Sequence, residues 1–147
     1  MIIKIDREKL IDPLRNIVGV SEKKQTMPIL GNVLVTSRSG KLRLVASDLE
    51  VEVSTDIDFD SVEEINTTLP SRKFLDILKS LPGSEEVTIE IEDTKATIKS
   101  GKSRFVLATL PGSDFPYQEI QTTYDHKVPA EVLDTLISQT AFSMAVQ

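Results

Sequence analysis

Leu69-Pro70-Ser71-Arg72-Lys73-Phe74 has two counterparts in the chain, and the three together decide the fold. Ile5-Asp6-Arg7-Glu8-Lys9-Leu10 and Val128-Pro129-Ala130-Glu131-Val132-Leu133 have the same form: the end of a short strand, a turn, and the start of an amphipathic stretch. Their starts are 64 and 59 residues apart, a period that signals an internal repeat. Behind each start, apolar residues recur at helical spacing. From Asp6 or Arg7 to Val18 the stripe is Leu10, Ile11, Leu14, Ile17 and Val18. From Ser71 to Leu81 it is Phe74, Ile77, Leu78 and Leu81. From Glu131 to about Ala141 it is Val132, Leu133, Leu136 and Ile137. Pro13 lies inside the first pattern and predicts a weakened first half or a kink, because proline removes an N–H and crowds the preceding turn.

Between the helices the period changes from 3.6 to 2. In Glu50-Val51-Glu52-Val53-Ser54-Thr55-Asp56-Ile57-Asp58-Phe59-Asp60, apolar side chains alternate with acidic or hydroxyl ones. That is a strand with one dry and one wet face. Lys41-Leu42-Arg43-Leu44, Glu86-Val87-Thr88-Ile89-Glu90-Ile91-Glu92 and Lys95-Ala96-Thr97-Ile98-Lys99 repeat the pattern, separated by Ser39-Gly40, Glu92-Asp93 and Ser100-Gly101. The repeat unit therefore reads strand, helix, about three strands, with antiparallel sheets solvated on one face. This predicts an α+β domain of two βαβββ units with two helices. A third unit has begun where the sequence stops, with only Phe142-Ser143-Met144-Ala145-Val146-Gln147 after its helix. The expected organisation is one domain over 1–115, a linker over 116–124, and the truncated beginning of a second domain over 125–147.

Composition narrows the function. The 147 residues include no cysteine and one histidine, His126. Thiol nucleophiles, disulfides and cysteine zinc sites are excluded within this sequence, and histidine-based catalysis has little to work with. His126 reads as an ordinary strand residue. No apolar run approaches the ~18–20 residues of a membrane helix, and Met1-Ile2-Ile3-Lys4-Ile5-Asp6 turns charged too early for a signal peptide; a cytoplasmic location is expected. The six glycines form no phosphate-cradling loop. The net charge is −6, but residues 1–43 hold nine Lys/Arg against four Asp/Glu, whereas residues 44–70 hold eight Asp/Glu and no Lys/Arg. An acidic protein binds polyphosphate only where its cations share a face.

Helix wheels show where such a face could lie. Arg72, Asp76 and Lys79 fall opposite the apolar stripe of the second helix, and Arg15 flanks Asn16 opposite that of the first. Ser21-Glu22-Lys23-Lys24-Gln25 is a polar loop with adjacent lysines. On sequence alone each is an ordinary solvated surface group. Phe105-Val106-Leu107-Ala108-Thr109-Leu110 is apolar on both faces, so it is either a covered central strand or an edge that a partner covers.

Four strings, in order, resemble the bacterial sliding clamps, the family of the DNA polymerase III β subunit. They are Met27-Pro28-Ile29-Leu30-Gly31-Asn32-Val33-Leu34, Ala46-Ser47-Asp48-Leu49-Glu50-Val51-Glu52, Pro70-Ser71-Arg72-Lys73-Phe74 and Ser103-Arg104-Phe105-Val106-Leu107-Ala108-Thr109-Leu110-Pro111-Gly112-Ser113-Asp114-Phe115-Pro116. The resemblance runs along the whole chain. It implies the DNA-clamp fold and a non-catalytic processivity factor: a head-to-tail dimeric ring around duplex DNA that tethers the replicative polymerase and is opened by a clamp loader. It puts both helices on the inner wall and aligns Lys24 and Arg72 with DNA-touching residues, with Lys23, Lys79 and Arg15 as further candidates. It makes the 105–110 strand a subunit edge, with Phe105 and Leu107 as anchors and Lys73 nearby. No cofactor or metal is implied. The partner-peptide pocket of such clamps lies in later domains.

Two other readings remain. Asp48, Glu50 and Glu52, two apart on a strand, would project together and could approach a divalent cation in a phosphoesterase. The same alternation continues through Asp56, Asp58 and Asp60, which reads as a wet strand face. The chain could also be a protein-interaction module without DNA contact.

Overall fold

The computed structural model describes residues 1–21, 27–60, 64–82, 86–117 and 126–144. Met1–Tyr117 form one compact unit and Gln118–Gln147 a second. In the first, β1 (Ile2–Asp6) leads into α1 (Arg7–Val18), followed by β2 (Asn32–Arg38), β3 (Lys41–Ser47) and β4 (Glu52–Asp58). The pattern then recurs as β5 (Asn66–Pro70), α2 (Ser71–Ser80), β6 (Glu86–Glu92), β7 (Lys95–Ser100) and β8 (Ser103–Ala108), ending in the short β9 (Leu110–Pro111). Two βαβββ units are thus present, as the repeat predicts.

The sheets are built by exchange. β1, from the first unit, pairs with β6 of the second in a four-stranded antiparallel sheet of order β1-β6-β7-β8. β5, from the second unit, pairs with β2 of the first in a five-stranded sheet of order β4-β3-β2-β5-β9. The registers correspond: Ile3 lies opposite Ile89 and Ile5 opposite Val87, while Leu69 lies opposite Val33 and Thr67 opposite Val35. Because each first strand belongs to the other unit's sheet, neither half can be removed without opening the other.

The helices fill the space this leaves. Leu10, Ile11, Leu14, Ile17 and Val18 of α1 are all buried, as are Phe74, Leu75 and Leu78 of α2. They share one cluster with Ile3, Ile5, Val33, Val35, Leu42, Leu44, Val87, Ile89 and Ile98. Leu75 joins the stripe predicted for α2, and Ile77, at its border, is only half-buried. Despite Pro13, α1 runs unbroken from Arg7 to Val18. Burial of its stripe outweighs the missing backbone bond, since helical stability in proteins comes mainly from tertiary packing.

The five-stranded sheet is covered on its other face too. Leu34 and Val45 meet Ile29 and Leu30 of a short turn at Pro28–Gly31, with Phe115 and Tyr117 closing the cluster. Gly112 lets this strap pass close over β5: a Cβ there would run into the Asn66 side chain and lie 2.9 Å from the Asn66 carbonyl carbon. Tyr117, which the sequence assigns to the linker, packs against this second cluster.

Differences from the expected strands have local causes. β4 begins at Glu52 rather than Glu50, because Asp48 caps a turn. Its Oδ1 accepts from Val51 N at 2.7 Å and Glu50 N at 3.0 Å, and Leu49 takes a φ of 76°. In the second unit, α3 (Ala130–Ala141) carries the predicted stripe, exposed along its length. His126 lies in exposed irregular chain ahead of α3, not in a strand.

Candidate nucleic-acid interface and sheet edge

α1 and α2 turn their apolar stripes inward, so their polar residues form a surface. On α2 the exposed side chains are Arg72, Lys73, Asp76, Lys79 and Ser80, three cations against one carboxylate. On α1 they are Glu8, Lys9, Asp12, Arg15 and Asn16. Arg15 Nη1 is held by Asp12 Oδ1 at 3.0 Å, one turn back on the same helix. Of the predicted cations, Arg15 is thereby paired with a carboxylate, whereas Arg72 and Lys79 stand on a face with net positive charge.

The helices pack antiparallel, and two arginines bond the start of each to the end of the other. Arg72 Nη2 donates to the Ser21 carbonyl at 3.2 Å, just beyond α1. Arg7 Nε donates to the Leu78 carbonyl at 2.6 Å, in the last turn of α2. The structure thus brings Arg72 to the same end of the pair as Arg15, and to the base of the segment carrying Lys23 and Lys24. Those two lysines lie outside the described residues. Lys79 falls at the opposite end, beside Arg7. A guanidinium has five N–H donors, and the bond from Arg72 to Ser21 uses one of them.

The strands carry exposed charges of both signs. Glu52, Asp56 and Asp58 of β4 are exposed, as are Glu86 and Glu92 of β6, and so are the cations Lys41 of β3, Lys95 of β7 and Arg104 of β8. Across β3 and β4, Arg43 grips Asp56 in a fork, Nε to Oδ1 at 2.7 Å and Nη2 to Oδ2 at 3.0 Å, and its Nη1 donates to the Tyr117 hydroxyl at 3.2 Å. The hydrogen bond from Arg43 holds the Asp56 carboxyl below its ordinary range, and the same pair raises the Arg43 pKa further. This fork also ties the end of the strap to the sheet.

The three carboxylates considered as a cation site are not assembled along one strand. Asp48 is taken up by its turn, whose backbone N–H groups at Val51 and Glu50 lower its pKa, while desolvation raises that of Glu52. Among the described residues no cluster of three or more His, Asp or Glu side chains could hold a metal ion.

β8 lies at an edge of the four-stranded sheet. Phe105 and Leu107 face the core: Leu107 is 7% exposed and Phe105 is half-buried against the same cluster, while Val106 on the other face is 54% exposed. Leu107 is therefore already committed to this domain's own core, and Phe105 is the member of the pair with surface left over. Lys73 is exposed on α2.

Comparison with known proteins agrees with this arrangement. Residues 1–120 match the family model for the DNA polymerase III beta subunit, N-terminal domain. The chain is 39% identical over 149 residues to the beta sliding clamp of Haemophilus influenzae, covering 100% of this chain and 41% of that protein. It is 41% identical over 145 residues to the beta sliding clamp of Pseudomonas aeruginosa, covering 97% and 40%. Among solved structures, the P. aeruginosa DnaN sliding clamp bound to griselimycin superposes with a TM-score of 0.91 at 40% identity, over all of this chain and 40% of that one. Caulobacter crescentus pol III beta gives 0.91 at 28% identity, over 100% and 41%. Two exchanged βαβββ units with a helix pair on one side are the architecture of a sliding-clamp domain, and the chain belongs to the DNA polymerase III β-subunit family. It spans about two fifths of the length of the curated relatives it matches. No helix among the described residues is long and apolar enough to cross a membrane.

Sequence reasoning missed Arg7 as a structural donor, although one signal was present. Pro82 stands four residues after Leu78, so the Leu78 carbonyl has no i+4 N–H to accept from.

Asp56→Asn tests the fork. For a surface pair of this geometry the change should cost about 0.5–1 kcal/mol at neutral pH. The folded pKa of Asp56 is depressed, so its contribution is present above the ordinary value of 3.8 and disappears as pH falls through the lowered one. Urea unfolding should therefore show a gap between parent and variant at neutral pH that closes in acid. A gap independent of pH would contradict the assignment.

Proposed function

We propose that this chain is the first domain of a processivity clamp: part of a head-to-tail dimeric ring that encircles duplex DNA, slides on it, and tethers the replicative polymerase after loading by a clamp loader. The observation that carries the reading is the helix pair, whose exposed α2 face holds Arg72, Lys73 and Lys79 against Asp76 alone, within a protein of net charge −6. A sliding contact needs positive charge facing phosphate without base readout, because phosphate contacts position a protein and carry no sequence information. The α2 face offers phosphate a local excess of cations that the strands, where acids and bases are interspersed, do not. In this reading Lys24 and Arg72 are the principal phosphate contacts, Lys23, Lys79 and Arg15 are secondary, and Arg15 contributes least because Asp12 already holds it. The role requires no active site, cofactor or metal, and it takes place in the cytoplasm.

The β8 edge is the contact for the second subunit. Open edge backbone and the remaining surface of Phe105 support this, and Lys73 on α2 is a further candidate for the same contact. A head-to-tail ring needs unlike patches at its two ends.

Lys24→Ala with Arg72→Ala, made in the full-length ring, removes two phosphate partners. The slope of log affinity against log salt should fall by about two, roughly one for each cation removed, for all duplex sequences alike. An unchanged slope, or a weakening confined to one sequence, would remove the assignment. The edge is checked separately. Phe105→Ala should leave the domain folded and shift sedimentation from dimer toward monomer, and a dimer as tight as the parent would place the subunit contact elsewhere.

A further inference from the structure

We propose that Arg7 is a positioning residue for the phosphate-facing surface, fixing the last turn of α2 and with it Lys79. The proposal rests on the DNA-binding reading above and deepens it. Arg7 is the first residue of α1, remote in sequence from the last turn of α2. Its Nε donates to the Leu78 carbonyl at 2.6 Å, and the interaction is partly buried. That carbonyl is one of the four that a helix C-terminus leaves without an intrahelical partner. Chain continuation cannot supply one, because Pro82 is four residues on and has no N–H. The neighbouring carbonyl is differently placed: Ile77 accepts from Leu81 N at 3.2 Å and from Ser80 Oγ at 2.7 Å. The last turn thus depends on a donor from outside α2, and Arg7 provides it as a cation at the negative end of the helix.

Arg72 does the converse at the other end, donating to Ser21 beyond α1. The two bonds set where each helix ends relative to the start of the other. Lys79 directly follows Leu78 and is exposed, so the turn that Arg7 pins is the turn that presents Lys79. A pinned lysine gives up less conformational freedom when it meets a phosphate than one on a frayed turn.

Arg7→Met, which keeps the apolar stem and removes the donor, should weaken affinity for a duplex oligonucleotide roughly three- to tenfold in the full-length ring. The salt slope should stay unchanged, because every phosphate-facing cation is still present. Lys79→Ala should cost less in the Arg7→Met background than in the parent, so the pair is non-additive. Arg7→Lys, which keeps the charge and puts a donor one bond beyond the place of the Arg Nε, should recover much of the affinity; it also serves as the folded variant if Arg7→Met proves too unstable. Unchanged affinity would overturn the proposal. So would a reduced slope, which would make Arg7 itself a phosphate contact, and so would additive effects of positions 7 and 79, which would make its role one of general stability. Lys24→Ala with Arg72→Ala serves as the control. If that pair also leaves the slope unchanged, the DNA-binding reading has failed; if it lowers the slope while Arg7→Met does nothing, only the positioning role has failed.

Discussion

The fold depends on the exchange of first strands. β1 completes the sheet of β6, β7 and β8, and β5 completes that of β2, β3 and β4. A helix follows each exchanged strand directly, so α1 and α2 must enter the space between the sheets side by side and in opposite directions. Their stripes then have one place to go. Leu10, Leu14 and Ile17 meet Phe74, Leu75 and Leu78 in a single cluster with the inward faces of both sheets. Burial of that apolar area is the main stabilising term, and strand exchange makes it common to both units. The arginine bonds at the two helix ends follow from the same antiparallel geometry.

The surface charge is a by-product of this packing. Helices that bury one stripe must display the opposite side, and on α2 that side is cationic. Strands that bury alternate residues must display the others, and on β4 those are Glu52, Ser54, Asp56 and Asp58. A net charge of −6 and a basic α2 face coexist because helix phase puts all three α2 cations on its exposed side. Acidic side chains also line β4, an edge of the five-stranded sheet, where charge discourages unwanted strand pairing. The β8 edge carries a single exposed charge, Arg104, beside the exposed Val106.

Much of this was legible in the sequence. The helices were visible because one face is buried and the other wet, and α3 shows the same periodicity. Strands β6 and β7 alternate cleanly, and their expected bounds match the observed ones to within a residue. β2 shows no alternation, since Val33, Leu34 and Val35 are all buried, one face under the helices and the other under Phe115 and its neighbours. That second cluster was hidden because Phe115 sits among turn-forming residues. The start of β4 was misplaced because Asp48 looks like one more acid in an alternating row until its carboxylate is seen to bond the turn backbone. For the candidate interface, helix phase identified Arg72 and Lys79 as exposed. Phase alone could not reveal that Asp12 holds Arg15 or that Leu107 belongs to the core. Arg7 was the least visible, since its partner lies on the other helix, 71 residues away.

The proposed function has duplex DNA meeting the helices and not the sheets. Lysine accessibility to an acylating reagent, read by mass spectrometry for the full-length ring free and threaded on circular duplex, tests this most directly. Lys79 and Lys24 should be protected on DNA, while Lys41 on β3 and Lys95 on β7, both exposed at strand starts, should react as before. Protection of Lys41 and Lys95 with no change at Lys79 and Lys24 would put the DNA against the sheets and contradict the proposed role of the helix pair.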